Sequence, residues 1–390
     1  MQLRPHQIDA LDSMSNTPKG KVIIPTGGGK TMCMIEDTKR LFARNEKFAH
    51  TVVIVAPRIL LAHQLCEEFL QFIDAEVIHV HSGDTKYNST TKTDELEHWY
   101  NNSRNNLLIF TTYHSLHRVS ESLDIEVDTI YFDEAHNSVQ KNFIEAVEHL
   151  SMYAKRSYFF TATPKHSLSP FKIGMNDTDI FGDVICNVPA PQLVEQGYIL
   201  PPKVEVYKRD LMKKDEIYAE VESDNMIEAI DNLEKDKVLI CAKSTKQITQ
   251  LISQSDFCIE LSNRGYSWMY ITSKTGAVIN GKKVSRDVFF KTLNTWGADN
   301  TKFVVLHHSI LSEGINVNGL EAVLFMRSMD YIGISQTIGR VIRTGNADKV
   351  YGMVCVPVYS KVGISTARKV EAVVDTIFNQ GLPAISTVTR

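Results

Sequence analysis

The chain has 390 residues, 43% of them hydrophobic and 23% charged, with a formal net charge of −4. That length allows two compact domains with full cores, and the slight acidity excludes a general polyanion sponge, though not a local basic groove. Six cysteines without a C-x-x-C pair give no zinc pattern and suit a reducing cytosol rather than a disulfide framework. The residues Met1-Gln2-Leu3-Arg4-Pro5 hold no signal-peptide core. The longest apolar runs are strand length, so no membrane span is expected.

In chain order, the apolar run Val22-Ile23-Ile24 leads into Pro25-Thr26-Gly27-Gly28-Gly29-Lys30-Thr31, and a helical pattern from Met32 to about Phe42 leaves it. Three glycines let backbone N–H groups curl around phosphate oxygens, and the helix N-terminus adds its partial positive charge. Lys30 is placed for the β- and γ-phosphates, and the Thr31 hydroxyl for Mg²⁺. Ile24 stands where the strict pattern has a glycine, so the match is to the Gly-Lys-Thr end. The bland alternative is a glycine-rich turn followed by a chance Lys-Thr.

Strands are expected over 21–24, 51–56, 76–80, 107–111, 129–132 and 157–161, alternating with helical patterns. This is the signature of βαβ units and a parallel sheet, whose ligands bind at the carboxyl ends of the strands. Asp133-Glu134-Ala135-His136 closes the fifth of these strands. There Asp133 would hold Mg²⁺ through its water shell, and Glu134 would polarise an attacking water. An acidic pair at a strand end also serves as a helix N-cap, the competing reading.

Prolines at 189, 191, 201 and 202, with Gly197, mark a connector broken by a short helix at 192–196, which puts a boundary near residue 200. Lys203, Lys208, Arg209, Lys213 and Lys214 follow as a solvated cluster. Further strands are expected over 203–207, 238–241, 268–271, 303–306, 322–325 and 351–356, with a charged helical stretch over 212–235. Asn280-Gly281, within Val278 to Val284, is a hairpin signal, and its lysines Lys282 and Lys283 would suit a nucleic-acid contact or a surface decoration. No second glycine-rich phosphate loop occurs.

Pro-Thr-Gly-Gly-Gly-Lys-Thr with Asp-Glu-Ala-His resembles the superfamily 2 helicases and translocases, on their DExH side and in the branch of the type III restriction-enzyme helicases. Other stretches join the resemblance, which runs from about Leu3 to Arg343. Leu3-Arg4-Pro5-His6-Gln7 is similar to the adenine-reading element, with Gln7 facing the base. Ala56-Pro57-Arg58 and Thr111-Thr112-Tyr113 resemble motifs that grip a nucleic-acid backbone, and Ser82-Gly83 is a further candidate of that kind. Thr161-Ala162-Thr163-Pro164 resembles the coupling motif, whose hydroxyls would bond His136. Ala242-Lys243-Ser244-Thr245 resembles a backbone contact of the second half, which Thr272-Ser273-Lys274 would extend.

Ser312-Glu313-Gly314-Ile315-Asn316-Val317 is similar to the motif that meets the nucleotide sugar, with Asn316 where many relatives carry Asp. Gln336-Thr337-Ile338-Gly339-Arg340-Val341-Ile342-Arg343 resembles the arginine-finger motif, and on a helix its two arginines, three apart, would share a face.

The resemblance implies an α/β protein of two tandem RecA-like domains, at 1–200 and 201–390, each a parallel sheet flanked by helices. ATP and Mg²⁺ would lie between them. Thr26, Gly27, Gly28, Gly29, Lys30, Thr31, Gly314 and Asn316 would hold the nucleotide, Thr31 and Asp133 the metal, and Glu134, Arg340, Arg343 and Gln336 would serve hydrolysis. Pro57, Arg58, Thr111, Thr112, Lys243 and Ser244 would follow a single-stranded or branched nucleic acid, DNA rather than RNA, with a protein partner for targeting. The implied activity is that of an ATP-dependent helicase or translocase. An ATP-gated clamp or annealing factor, the motor subunit of a restriction or repair complex, and a P-loop NTPase acting on protein are the alternatives.

Overall fold

In the computed structural model, which describes residues 2–44, 49–122, 124–208, 218–272, 274–308, 319–344, 349–358 and 361–388, the chain divides into two units. The first comprises Met1–Pro189 and Ile385–Arg390, the second Ala190–Ala384.

The first unit is built on β1 (Lys19–Ile23), β2 (Thr51–Ala56), β3 (Glu76–Val80), β4 (Asn88–Thr90), β5 (Leu107–Thr112), β6 (Thr129–Phe132) and β7 (Arg156–Thr161), followed by β8 (Lys165–His166) and β9 (Asp183–Asn187). All but β8 form one sheet in the order β4-β3-β5-β2-β6-β7-β1-β9, and the pairings are parallel. Its central members are β-branched or aromatic runs such as Thr-Val-Val-Ile-Val-Ala, buried along their whole length. A strand covered on both faces needs apolar residues at every position rather than alternate ones. Val53, Val55, Ile109, Ile130, Phe132 and Phe159 form the centre of this core. Helix α1 (Pro5–Asn16) precedes β1, and α2 (Lys30–Phe42) and α3 (Ile59–Leu70) stand between the first three strands.

The second unit carries β10 (Pro202–Lys208), β11 (Lys237–Cys241), β12 (Ser267–Thr272), β13 (Gly276–Ile279), β14 (Lys282–Val284), β15 (Phe303–His307), β16 (Ala322–Phe325) and β17 (Gly352–Val358). Their order is β10-β17-β16-β11-β15-β12-β13-β14. The pairs from β10 through β12 are parallel, and β12-β13-β14 are antiparallel. Asn280 and Gly281 join β13 to β14 with φ of 44° and 79°, the two left-handed residues that let a two-residue turn match the strand twist. Ile240, Leu306, Leu324 and Cys355 lie at the core.

The units part at Pro189, about ten residues before the boundary near 200, because the short helix Ala190–Glu195 packs with the second unit. The last residues return to the first unit, where β18 (Ser386–Thr387) pairs in parallel with β8. The short strands β4, β8, β9 and β18 were not anticipated. They are too brief or too polar to give an apolar run. Among the described residues no helix is long and apolar enough to cross a membrane.

Candidate functional site

Because the large sheet of the first unit is parallel, the turns after β1, β2, β5, β6 and β7 emerge at one edge. Ile23 pairs with Thr161, Ala56 with Thr112, and Val55 with Phe132. The glycine-rich loop, Arg58, Thr112, Asp133 and Thr163 therefore share the carboxyl end of the sheet, where open α/β sheets bind ligands.

The loop itself is held from outside. Gly27 and Gly29 have φ of 85° and 86°, and the left-handed Gly29 is the N-cap of α2. Three residues at the start of α1 donate to three successive loop carbonyls: Arg4 Nη1 to Gly27 O (3.3 Å), His6 Nε2 to Gly28 O (2.7 Å) and Gln7 Nε2 to Gly29 O (3.2 Å). Burial lowers the pKa of His6, consistent with a neutral ring donating its single N–H. With the carbonyls engaged on this side, the loop keeps a fixed curvature. The Thr26 hydroxyl is buried and has no hydrogen-bond partner among the described residues, an orphan of the kind a polar ligand satisfies.

Gln7 departs from the expected adenine reader. Its Oε1 accepts from Arg4 N at 2.9 Å while its Nε2 serves Gly29, and the residue is only 3% exposed. The amide closes the α1 cap against the loop instead of presenting an open face to a base.

Lys30 Nζ lies 3.8 Å from Glu134 Oε1, with both side chains nearly buried. Glu134 Oε2 lies 3.6 Å from His136 Nδ1, and that nitrogen is 3.2 Å from Thr161 Oγ1. Thr161 Oγ1 also accepts from Thr163 N at 3.1 Å, and the Thr163 hydroxyl is buried without a partner among the described residues. Lysine, glutamate, histidine and threonine from three separate strand ends, those of β1, β6 and β7, thus form one continuous chain of contacts. Glu134 has φ of 46°, a left-handed backbone rare for a non-glycine residue and concentrated at functional positions.

Beside it, burial and then the neighbouring Glu134 charge push the Asp133 carboxyl up to about 7, against the pull of Lys30. A buried carboxylate with a like charge next to it is the natural seat of a cation. The donors fit a magnesium phosphate: a hydroxyl at Thr31, a carboxylate at Asp133, a lysine, and N–H groups at a helix start. Tyr113, fully buried, donates its hydroxyl to Asp133 O at 2.8 Å and fixes that peptide from below.

A second network fastens α2. Asp37 accepts from Tyr131 Oη at 2.5 Å and from Arg156 Nη1 at 2.9 Å, and Arg156 also donates to Thr129 Oγ1. It ties the helix carrying Lys30 and Thr31 to β6 and β7. Arg4, His6, Asp37 and Tyr113 are the site residues that sequence reasoning missed. Their partners lie far away in the sequence, so Asp37 carried no signal, while Arg4 and His6, inside the Leu3–Gln7 element, and Tyr113, inside Thr111-Thr112-Tyr113, stood in quoted motifs without these roles.

The nucleic-acid candidates divide. Arg58 is exposed at the N-cap of α3 beside a buried Pro57. Thr111 is corrected: it is 0% exposed, and its hydroxyl donates to Val80 O at 3.0 Å, so it joins strands rather than meeting a phosphate. Thr112 is 3% exposed. Gly83 N donates to His81 Nδ1, and Ser89 Oγ to Gly83 O. In the second unit Ser244 Oγ caps the helix Thr245–Gln254 by accepting from Gln247 N, while Lys243 Nζ reaches Tyr218 Oη at 3.1 Å.

Gln336 and Arg340 are buried on the helix Tyr331–Val341, whose N-cap Asp330 accepts from Gly333 N. Arg340 sits near His307 and Cys241 at the ends of β15 and β11, where its charge and that of Arg327 help burial to lower the His307 pKa. Arg343 does not share a helical face with Arg340. The helix ends at Val341, and Arg343 forms an antiparallel bridge with Ile199 while Leu200 N donates to Ile342 O. Pairing with the incoming segment unwinds the last turn that a helix-only reading would continue. Gly314 and Asn316, with the rest of their motif, lie outside the described residues, as do Arg209, Lys213, Lys214 and Ser273.

Two units built on largely parallel sheets flanked by helices, the first with a glycine-rich turn after β1 and an Asp-Glu-Ala-His strand end, define a RecA-like α/β fold. Residues 1–166 match the family model "Type III restriction enzyme, res subunit", a match that lies within the first unit. Nothing among the curated proteins matches the chain.

Solved structures share the fold. The type ISP restriction-modification enzyme LlaBIII bound to DNA superposes with a TM-score of 0.76 at 16% identity, over 100% of this chain and 31% of that one. A nuclease-deletion mutant of the type ISP enzyme LlaGI, with a DNA substrate mimic, gives 0.68 at 19% identity, over 99% and 30%. Dbp5 of S. cerevisiae bound to RNA and ADP BeF3 gives 0.61 at 15% identity, over 98% and 89%. The chain spans about a third of the length of the two restriction enzymes.

Proposed function

We propose that this chain is an ATP-driven nucleic-acid motor that translocates along DNA and separates or remodels duplexes. The observation that carries the reading is the contact chain Lys30–Glu134–His136–Thr161, which joins a phosphate-loop lysine to the turn after β7. A site in which hydrolysis is coupled to movement needs such a link, because a change at the γ-phosphate must reach an element that moves.

The loop N–H groups, Thr26 and Lys30 bind the ATP phosphates. Thr31 and Asp133 would hold Mg²⁺, which when bound would neutralise charge that develops on the phosphates. Glu134 orients the attacking water and accepts its proton, exchanging its present contact with Lys30 for one with water. Arg340 and Arg343, with Gln336, act on the γ-phosphate as charge redistributes, a contribution worth about 10³–10⁵ in rate in related chemistry. Gly314 and Asn316 meet the sugar. Arg58, Lys243 and Ser244 face the nucleic-acid backbone, where contacts carry position rather than sequence.

DNA is favoured as the track because the res-subunit family model and the type ISP likenesses, in structures with DNA or a DNA mimic, belong to restriction enzymes. The short coverage of those enzymes supports a second reading within the same class: the chain is the motor of a larger restriction or repair assembly, aimed by a partner. Steady-state ATP hydrolysis with and without single-stranded DNA, duplex DNA and single-stranded RNA tests the proposal, with Glu134→Gln as blank. DNA stimulation is expected. Equal rates with every polymer and with none would refute it.

A further inference from the structure

Three histidines converge in the first unit, away from the phosphate loop. His79 is on β3, His81 is two residues on, and His63 is on α3. Residues two apart on an extended strand point the same way, so His79 and His81 form one face, and α3 brings His63 against it. The ring centroids are 5.2 Å apart for His63 and His79, 4.9 Å for His63 and His81, and 4.9 Å for His79 and His81. One ring nitrogen from each lies within 4.8 Å of the others. His79 and His81 are 1% exposed, and His63 is half-buried with its Nε2 covered and without a hydrogen-bond partner among the described residues.

We propose that His63, His79 and His81 bind one transition-metal ion of the zinc class, each through one ring nitrogen, with solvent as the fourth ligand. The donor set selects the metal. Imidazole nitrogens suit zinc, copper, nickel and iron, whereas magnesium and calcium demand oxygens, so the ion differs in kind from the one that accompanies a nucleotide. A tetrahedral ion with metal–nitrogen bonds of about 2.0–2.1 Å spaces its ligand atoms roughly 3.3 Å apart. His79 Nδ1 and His81 Nε2 already stand 3.0 Å apart, and rotation of the half-buried His63 closes the rest. Burial lowers all three pKa values, against the Glu67 charge at His63, and repulsion from the neighbouring rings adds to it at His79, lowered to about 3, and at His81, lowered to about 4. The rings therefore offer lone pairs at neutral pH with no proton to displace from a charged form.

The proton inventory predicts what loading changes. Gly83 N donates to His81 Nδ1, so the neutral His81 ring carries its hydrogen on Nε2 and donates it to His79 Nδ1. The ion takes the place of that shared hydrogen. His81 then carries its hydrogen on Nδ1, and the Gly83 N–H bond is released, since two donors cannot face each other. Metal loading thus reaches the Ser82-Gly83 turn.

The test uses the full chain, stripped with a chelator and titrated with zinc chloride, cobalt chloride or magnesium chloride. We expect one equivalent of zinc bound, a higher melting temperature, visible absorption bands of four-coordinate cobalt, and a shifted Gly83 amide resonance, with magnesium inert. His63→Gln, at the half-exposed ligand, should keep the metal-free melting temperature and lose zinc affinity by at least about 10-fold. His81→Gln, measured the same way, guards against a variant that misfolds, and the cobalt spectrum of the unsubstituted chain needs no variant. Sub-stoichiometric zinc, octahedral cobalt, or zinc binding as tight in both variants as in the parent would overturn the proposal.

Discussion

Glu134 occupies a left-handed backbone position, a strain of about 1–3 kcal/mol that the surrounding contacts must hold. Glutamine occupies that backbone as readily as glutamate, so Glu134→Gln should fold normally. It should bind nucleotide within a few-fold and lose roughly 10²–10⁴ in turnover. Parallel measurement of nucleotide affinity and kcat checks this, and a variant with near-normal kcat would remove Glu134 from the base role. Asp133 gives a pH signature. Burial and Glu134 hold its carboxyl up at about 7, so as pH rises from the ordinary carboxylate range the unfolded chain ionises first and the folded state loses stability, fully by pH above about 7. Metal-free Asp133→Asn should therefore melt higher than the parent at pH 8, the two converging near pH 4. Thermal melts across pH decide it: a parent at least as stable as the variant at pH 8 would contradict the buried-carboxylate reading. At Gly29 an added Cβ would lie 2.4 Å from Gln7 Nε2 in a left-handed backbone. Gly29→Ala should abolish nucleotide binding, and adding Gln7→Ala should relieve only the clash, leaving most of the loss in a fluorescent-nucleotide titration.

The glycine loop and the Asp-Glu-Ala-His strand end were legible because their chemistry is local: glycines, a lysine and carboxylates at fixed offsets beside apolar runs. What surrounds them was not. The Gln7 amide turns toward Gly29 because α1 packs beside the loop, and Thr111 is sealed by its neighbour β3. Helix Tyr331–Val341 stops before Arg343 because another segment claims its backbone. Each depends on a partner distant in sequence. The same is true of Asp37, an ordinary helix acid by pattern yet the anchor of α2. Removing it leaves Arg156, with a side chain only 15% exposed, without its charge partner, and Asp37→Ala should cost about 3–5 kcal/mol. Denaturant unfolding of Asp37→Ala, Arg156→Ala and the double variant would show a coupling term; additive effects would contradict the anchor.

At the scale of the whole chain, the division into two α/β halves could be read from the recurrence of strand-length apolar runs. The return of the C-terminus to the first unit could not, since Ser386 and Thr387 form no apolar run. Ser386 N donates to Pro164 O and Val388 N to His166 O, just beyond the Thr161–Thr163 turn. Ending the chain at Ala384 removes both bonds and should lower stability by about 1–3 kcal/mol, visible as a reduced midpoint in denaturant. An unchanged midpoint would make the pairing incidental. The central claim is that ATP hydrolysis drives movement, and displacement of a triplex-forming oligonucleotide from duplex DNA reads movement without requiring strand separation. The account predicts displacement that needs ATP and disappears in Glu134→Gln. DNA-stimulated hydrolysis with the third strand left in place would contradict it and leave an ATP-gated clamp.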